Sequence, residues 1–411
     1  MKKNTYIYLI IYIFFLSSCL KESPIESYNW SSETIENTVR IPEQIKSIIN
    51  GKYKVLSGAE YLGDYVIVRF MDNKLSIFSG KNFNHCFLKG GIKDSSLKFS
   101  GYLKSGKSNL PYYNIDLSVN ETTVSELLKD NAMPDIFIIK GTLYYKNQQI
   151  PVELEFQSYF ENDGFIVFAH RGGGGDNTCF SAPENSLEII ELADLFGANG
   201  VEIDIRITKD KIPIIFHDDK FSARSYNTEF CVGNIEDFYL SHIVSFCKLK
   251  NGERVSTLED MLIHILNNTT LEYVWIDTKT AEAVDYVIPV QMKYNQLAIE
   301  QGRKLIIMIG IPTDEVYNAY MNNINRKKSP NICELETEKA INAESVFWAP
   351  KWTMGIQTNK INEMAAMGIR TVIWTVNDPE VMKVIFNEFT PDGILTDFPP
   401  ILKYLYYENN Y

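Results

Sequence analysis

The sequence predicts an α/β chain in which a (β/α)8 barrel is preceded by a small all-β sandwich or barrel. Three observations carry this. From about residue 50 to 160 the apolar residues recur with period two, the pattern of strands with one buried face. From about residue 164 short β-rich runs alternate with helix-period segments over a stretch of roughly 250 residues, the length of a (β/α)8 barrel. A doubly wound open sheet is the alternative, but no GxGxxG follows the first of these runs.

The 411 residues carry 40 Lys+Arg against 52 Asp+Glu, a formal net charge of −12. With 45% hydrophobic and 22% charged residues, disorder over most of the chain is excluded. The acidic balance argues against nonspecific nucleic-acid binding, which needs basic surface to displace counterions. It leaves room for a small anionic ligand held in a local positive pocket, above all beside a metal ion.

At the start, Lys2 and Lys3 precede the apolar run Tyr6–Leu16. A membrane-spanning helix needs roughly 20 apolar residues, so this run reads as the core of a secretory signal over residues 1–18. Ser17 and Ser18 lie directly before Cys19, an ending that resembles the bacterial lipobox. It implies a lipid-anchored mature chain that begins at Cys19, in a bacterial cell envelope, on the outer membrane or facing the periplasm. An ordinary signal peptide with an incidental Cys is the plainer reading. Residues 19–45 read as a tether, 46–162 as the β-rich domain and 163–411 as the barrel domain. Five cysteines follow Cys19: Cys86, Cys179, Cys231, Cys247 and Cys333. None forms a CxxC, and their spacing suits no zinc site. Cys231 with Cys247 is the first pair to expect as a disulfide, with isolated buried thiols as the alternative.

In the β-rich domain, Tyr65–Phe70 and Leu75–Phe78 flank the turn Asp72-Asn73. Ile136–Tyr145 and Val152–Phe156 flank the turn Lys146-Asn147-Gln148 and alternate cleanly. Only Glu121–Asp130 reads as a helix. No catalytic constellation is present, so a spacer or interaction module is the expectation, with its partner open. In the second domain the candidate strands are Phe165–His170, Val201–Thr208, Ile212–His217, Glu272–Lys279, Lys304–Gly310, Ser345–Pro350, Thr371–Val376 and Gly393–Thr396. The segments Asn185–Phe196, Thr257–Leu266, Ala283–Gln301, Ile361–Met367 and Pro379–Phe389 have helical period, and Gly197 is a helix stop.

Reacting groups in such a barrel come from the carboxyl ends of the strands. There the sequence places His170-Arg171, Glu202 with Asp204, His217-Asp218, and Asp277-Thr278-Lys279. Glu202 and Asp204 are two apart on a strand and face the same side. Two inward carboxylates repel unless paired or metal-bound. With Asp277 they make three oxygen donors and no sulfur or imidazole, a set that suits a hard cation, Ca²⁺ or Mg²⁺. The alternative is structural pairing with Arg171, Arg206 and Lys279. His170 and His217, two of only five histidines, can exchange protons near neutral pH. Arg171 and Lys279 offer fixed positive charge for a phosphoryl oxygen. His85, His242 and His264 lie outside this arrangement and read as structural.

These residues resemble the glycerophosphodiester phosphodiesterase family. The fragments that carry the likeness run in family order: His170-Arg171-Gly172, Pro183-Glu184-Asn185-Ser186, Gly197–Asp204, Thr208-Lys209-Asp210, His217-Asp218, Trp374–Asn377 and Gly393–Asp397. The resemblance implies a TIM barrel that hydrolyses glycerophosphodiesters to glycerol 3-phosphate and an alcohol. It implies His170 and His217 as the acid/base pair, Glu202, Asp204 and Asp277 as ligands of one divalent cation, and Arg171 and Lys279 at the phosphate. Glu184 and Trp374 would line the pocket. Three departures stand out: a long loop from His170 to Pro183, Lys211 in place of a turn glycine, and Asp at 277 where many members have Glu. The last is similar to sphingomyelinase D-type phospholipases and makes a lipid phosphodiesterase the alternative activity. A catalytically silent, lipid-anchored binding protein is the alternative of another class.

Overall fold

A computed structural model describes residues 28–30, 32–42, 45, 48–71, 73–106, 112–160, 164–174, 182–221, 231–355 and 357–410. The leader, Cys19 and Cys179 lie outside the described residues. No described helix is long and apolar enough to cross a membrane.

Eight strands form the first unit: β1 (Gly51–Ser57), β2 (Tyr65–Met71), β3 (Lys74–Ser79), β4 (His85–Lys93), β5 (Ser96–Lys104), β6 (Tyr113–Val119), β7 (Ile138–Tyr145) and β8 (Gln148–Tyr159). Each pairs antiparallel with the next, and β8 returns to β1, so the expected sandwich or barrel is a closed barrel. Val66, Val68 and Phe70 point into its core with Leu75, Ile77, Phe99 and Leu117. Their neighbour Ile67 points outward, yet it is buried with Phe78, Phe87 and Tyr102 against the second unit. That double burial explains why β2 reads as an almost unbroken apolar run. The helix Glu121–Asp130 is where the sequence places it; Asn120 caps it by accepting from the Thr123 N–H at 2.9 Å.

The second unit is a barrel of eight parallel strands: β9 (Ile166–Ala169), β10 (Gly200–Ile207), β14 (Tyr273–Thr278), β15 (Ile306–Ile311), β16 (Asn331–Cys333), β17 (Phe347–Trp348), β18 (Arg370–Ile373) and β19 (Gly393–Thr396). It closes through β9, which pairs with both β19 and β10. Helices cover its outside, and Ile166, Phe168, Trp275, Met308, Ile332, Phe347 and Val372 fill its inside.

The expected strand Ile212–His217 is not a barrel strand. Its core, β11 (Pro213–Ile215), folds back antiparallel on β10, with Ile205 opposite Ile215. Lys211 makes the turn at φ 65°, so the position accepts the left-handed backbone that a glycine would take most easily. An antiparallel hairpin and a parallel crossover have the same apolar pattern; only the short connection tells them apart. The true fifth strand, β16, is three residues long and starts with a polar side chain, Asn331, which donates to the Ala343 carbonyl at 3.0 Å. Two short pairing strands, β12 (Lys220–Phe221) and β13 (Gly233–Asn234), lie beyond β11.

The two units touch at a polar and an aromatic contact. Lys74 donates to the Glu191 carbonyl and to Asp194, both at 2.9 Å. Phe87 meets Phe196 with ring centroids 4.9 Å apart. The pair Cys231–Cys247 is a disulfide, Cα–Cα 5.7 Å, while Cys86 and Cys333 are buried thiols.

His85 is structural, as expected, and it carries a pH dependence. It is buried in the first barrel, tilted against Phe87 at 4.8 Å. Burial, reinforced by the Lys104 charge and opposed by a bond to the Phe83 carbonyl, lowers it to about 4. The folded ring therefore stays neutral where the unfolded ring, near pH 6.5, takes a proton. Stability is lost as pH falls below 6.5, by about 2 kcal/mol at pH 5 from this group. Unfolding curves at pH 7 and pH 5 should show the wild type losing more than His85→Gln by about that amount; parallel losses would count against it.

Candidate active site

The site forms at the carboxyl-end mouth of the parallel barrel. Strand β10 alternates Val201, Ile203 and Ile205 outward into the helix layer with Glu202 and Asp204 inward. Asp277 sits level with Asp204 on the neighbouring strand β14. One carboxylate oxygen from each of Glu202, Asp204 and Asp277 lies within 4.8 Å of the other two.

Basic groups hold this charge together. Lys279 lies 2.7 Å from Asp204 Oδ1 and in contact with Asp277 Oδ2. Arg171, at φ 52°, donates its backbone N–H to Glu202 Oε2 at 2.8 Å. Its guanidinium pairs with Glu184 at 3.1 Å and lies 3.5 Å from Asp204. Asn185 also turns through a positive φ, 58°, and donates to Asp204 Oδ2 at 2.8 Å. Arg206 does not join them; it donates to the His217 carbonyl at 3.0 Å. Of the structural pairings weighed as the alternative, those with Arg171 and Lys279 are present and the one with Arg206 is not.

The compensation is unequal. Burial, then the Asp204 and Asp277 charges, push the Glu202 carboxyl well above the usual carboxylate range. Asp204 is equally buried, but Lys279, His217 and Arg171 outweigh that and hold it low. Asp277 Oδ1 is buried without a hydrogen-bond partner among the described residues. Three hard oxygen donors, one of them unsatisfied and one reluctant to ionise, fit a divalent cation.

Both histidines border the cluster. His170 Nδ1 donates to Asp397 Oδ1 at 2.6 Å, and its Nε2 lies 3.9 Å from Glu202 Oε2. Asp397 is itself fixed by Asn377, whose Nδ2 donates to Oδ2 at 2.5 Å. Burial opposes protonation of His170, but Asp397 and Glu202 outweigh it and its pKa is raised. His217 reaches the mouth from the loop after β11, and its Nδ1 bonds Asp218 at 2.8 Å. Burial there outweighs the pull of Asp204 and Asp218, and its pKa is lowered.

The structure thus gathers His170, Arg171, Glu184, Glu202, Asp204, His217, Asp277 and Lys279 at one mouth. Trp374 follows β18 at the same end, donates to the Ala349 carbonyl at 2.6 Å and meets Trp275 edge-on at 6.5 Å. Sequence reasoning gave no role to Asn185, Asn377 or Asp397, although each lies inside a fragment quoted above. It passed over Glu334, at the end of β16, because that strand was not recognised.

The fold and the site define a (β/α)8-barrel protein with an acidic, histidine-flanked centre at its mouth. Residues 170–309 match the model of the Glycerophosphoryl diester phosphodiesterase family. The chain is 27% identical over 180 residues to Glycerophosphodiester phosphodiesterase 1 of Homo sapiens, covering 42% of this chain and 53% of that protein. It is 26% identical over 262 residues to Glycerophosphodiester phosphodiesterase of Caldanaerobacter subterraneus subsp. tengcongensis, covering 58% and 96%. The chain spans about half the length of the mammalian relatives it matches. A solved glycerophosphodiester phosphodiesterase from Parabacteroides distasonis aligns at 20% identity and TM-score 0.48, over 60% of this chain and 99% of that one.

A proton should leave when a cation enters, because the raised Glu202 must ionise to become a ligand. Calorimetric titration of Ca²⁺ or Mg²⁺ at pH 7, in buffers of different ionisation enthalpy, should report release of up to about one proton. Glu202→Gln should abolish that release. Binding with no buffer dependence would contradict it.

Proposed function

We propose that this chain hydrolyses glycerophosphodiesters to glycerol 3-phosphate and an alcohol, with one divalent cation, Ca²⁺ or Mg²⁺, at Glu202, Asp204 and Asp277. The observation that carries this reading is the donor set of three carboxylates with a histidine held on either side. A bound cation would offset the charge that builds on the phosphoryl oxygens. Each histidine has its Nδ1 engaged by a carboxylate, so the proton moves at Nε2. His217, biased towards the neutral ring, takes the proton of the attacking hydroxyl. That hydroxyl belongs to water or to the substrate's own glycerol, where proximity favours attack. His170, biased towards the protonated ring, gives its proton to the leaving alcohol. Asp397 and Asn377 keep its ring in the productive tautomer and orientation. Lys279 and Arg171 lie beside the donor oxygens, where they add positive charge for the phosphate.

Export and anchoring at Cys19, and with them an envelope location, complete the proposal. It follows that Cys19→Ser should move the protein from the membrane fraction to the soluble fraction of its bacterial host; unchanged membrane retention would remove the anchor.

His170→Ala and His217→Ala should each lower kcat at least ~10²-fold on glycerophosphocholine. Excess chelator should silence the wild type, and added Ca²⁺ or Mg²⁺ should restore it. Turnover that persists in chelator, or near-normal turnover in both variants, would refute this assignment. Headgroup release from lysophospholipid without any from glycerophosphocholine would instead favour the lipid phosphodiesterase.

A further inference from the structure

The excursion between β11 and the helix Leu258–Asn268 has a small core of its own. Phe216, Ile235, Ile243 and Leu249 pack there around the disulfide Cys231–Cys247, apart from the main core. Directly after Cys247 the chain makes a tight return. The Leu249 N–H donates to the Glu253 carbonyl and the Gly252 N–H to the Leu249 carbonyl, both at 2.8 Å, with Gly252 at φ 88°. From this return the Glu253 side chain reaches the start of another element, the helix Leu187–Ala193. Its Oε2 accepts from the Leu187 N–H at 2.9 Å, and its Oε1 from the Glu188 N–H at 3.1 Å. Asn251 Nδ2 donates to the same Oε1 at 2.8 Å and steadies it.

The first amides of a helix have no partner within it. Ser186 caps this helix by accepting from the Ile189 N–H at 3.1 Å, and Glu253 satisfies the two amides before it. One residue upstream of Ser186 stands Asn185, which donates to Asp204 Oδ2 at 2.8 Å. Asn185 sits at φ 58°, a backbone conformation that persists only where its surroundings impose it. On one side its N–H is tied to the Arg171 carbonyl at 2.9 Å. On the other side it is tied to the helix start that Glu253 holds. A continuous set of bonds thus runs from the disulfide-closed loop through Glu253 and Asn185 to Asp204, while Glu253 itself lies outside the donor set.

Resting on the cation reading above, we propose that Glu253 is a positioning residue for the cation site. It fixes the helix start so that Asn185 holds the Asp204 carboxylate in one orientation, and the Cys231–Cys247 disulfide in turn fixes the loop that carries Glu253. A carboxylate suits this place because it offers two oxygens to two N–H donors, whereas an amide offers one and turns a donor towards the other. A partner that bonds a metal ligand directly is worth about 10–100-fold in metal affinity. Glu253 acts at one remove, through Asn185, and its share is correspondingly smaller.

The test is calorimetric titration of Mg²⁺ or Ca²⁺ into the full chain, for the wild type, Asn185→Ala, Glu253→Ala and the double variant. Asn185→Ala should weaken cation binding at least about tenfold, and Glu253→Ala about three- to tenfold. In the Asn185→Ala background, Glu253→Ala should cost less than about twofold more, because its route to Asp204 is already cut. Glu253→Gln keeps one acceptor and should fall between Glu253→Ala and the wild type; it serves if Glu253→Ala does not fold. Joint replacement of Cys231 and Cys247 by Ala should weaken binding about as much as Glu253→Ala. Full additivity of the Asn185 and Glu253 substitutions would overturn the inference. So would a Glu253→Ala variant that melts earlier but binds the cation as tightly as the wild type, since that marks a role in folding alone. A wild type that binds neither ion would overturn the cation reading and this inference with it.

Discussion

The confinement of negative charge at the barrel mouth is the constraint on which the rest depends. Glu202, Asp204 and Asp277 are brought together by the closure of a parallel sheet, not by any attraction among themselves. Left alone, such a group would repel and resist burial. Lys279 between two of them, and Arg171, bonded to Glu202 through its backbone and ion-paired with Asp204 through its side chain, make the arrangement tolerable. The compensation is incomplete, as the raised Glu202 and the unsatisfied Asp277 Oδ1 show. A mouth that is nearly but not fully neutralised has affinity for a further positive charge, and that links the fold to its chemistry.

The same accounting organises the periphery. Asp397, just after β19, bonds His170 and lies outside the three-carboxylate set. Asn377 donates its amide to Asp397 Oδ2, and Asn185 donates to Asp204 Oδ2, the oxygen that also faces the Arg171 guanidinium. The positive backbone angles at Arg171 and Asn185 are local costs that aim these groups at the mouth. Among the described residues the antiparallel barrel contributes none to this centre; its Lys74 and Phe87 grip the first helical layer behind β10.

Much of this could be read from residues alone, and for a specific reason. In β9 and β14 apolar runs end abruptly in ionisable residues, and in β10 two carboxylates alternate with Val201, Ile203 and Ile205, so His170, Glu202, Asp204, Asp277 and Lys279 stand out against their own strands. The β11 hairpin misled because its apolar pattern equals that of a crossover strand, although it still delivers His217 to the mouth. Strand β16 has too few residues to show any period, and Glu334 was hidden with it. The bond from His170 to Asp397 spans 227 positions, and a single sequence carries no measure of such a separation. Closure of the first barrel rests likewise on Gly51 meeting Tyr159, which alternation within each strand does not encode.

The central claim is that three acidic side chains share one divalent ion at the mouth of the parallel barrel. Anomalous scattering from crystals of the chain soaked in Mn²⁺ tests it most directly. The account predicts a single strong peak in contact with oxygens of Glu202, Asp204 and Asp277, with the Lys279 ammonium displaced from between the two aspartates. A fully ordered mouth with no peak there, and Lys279 still seated between Asp204 and Asp277, would contradict it.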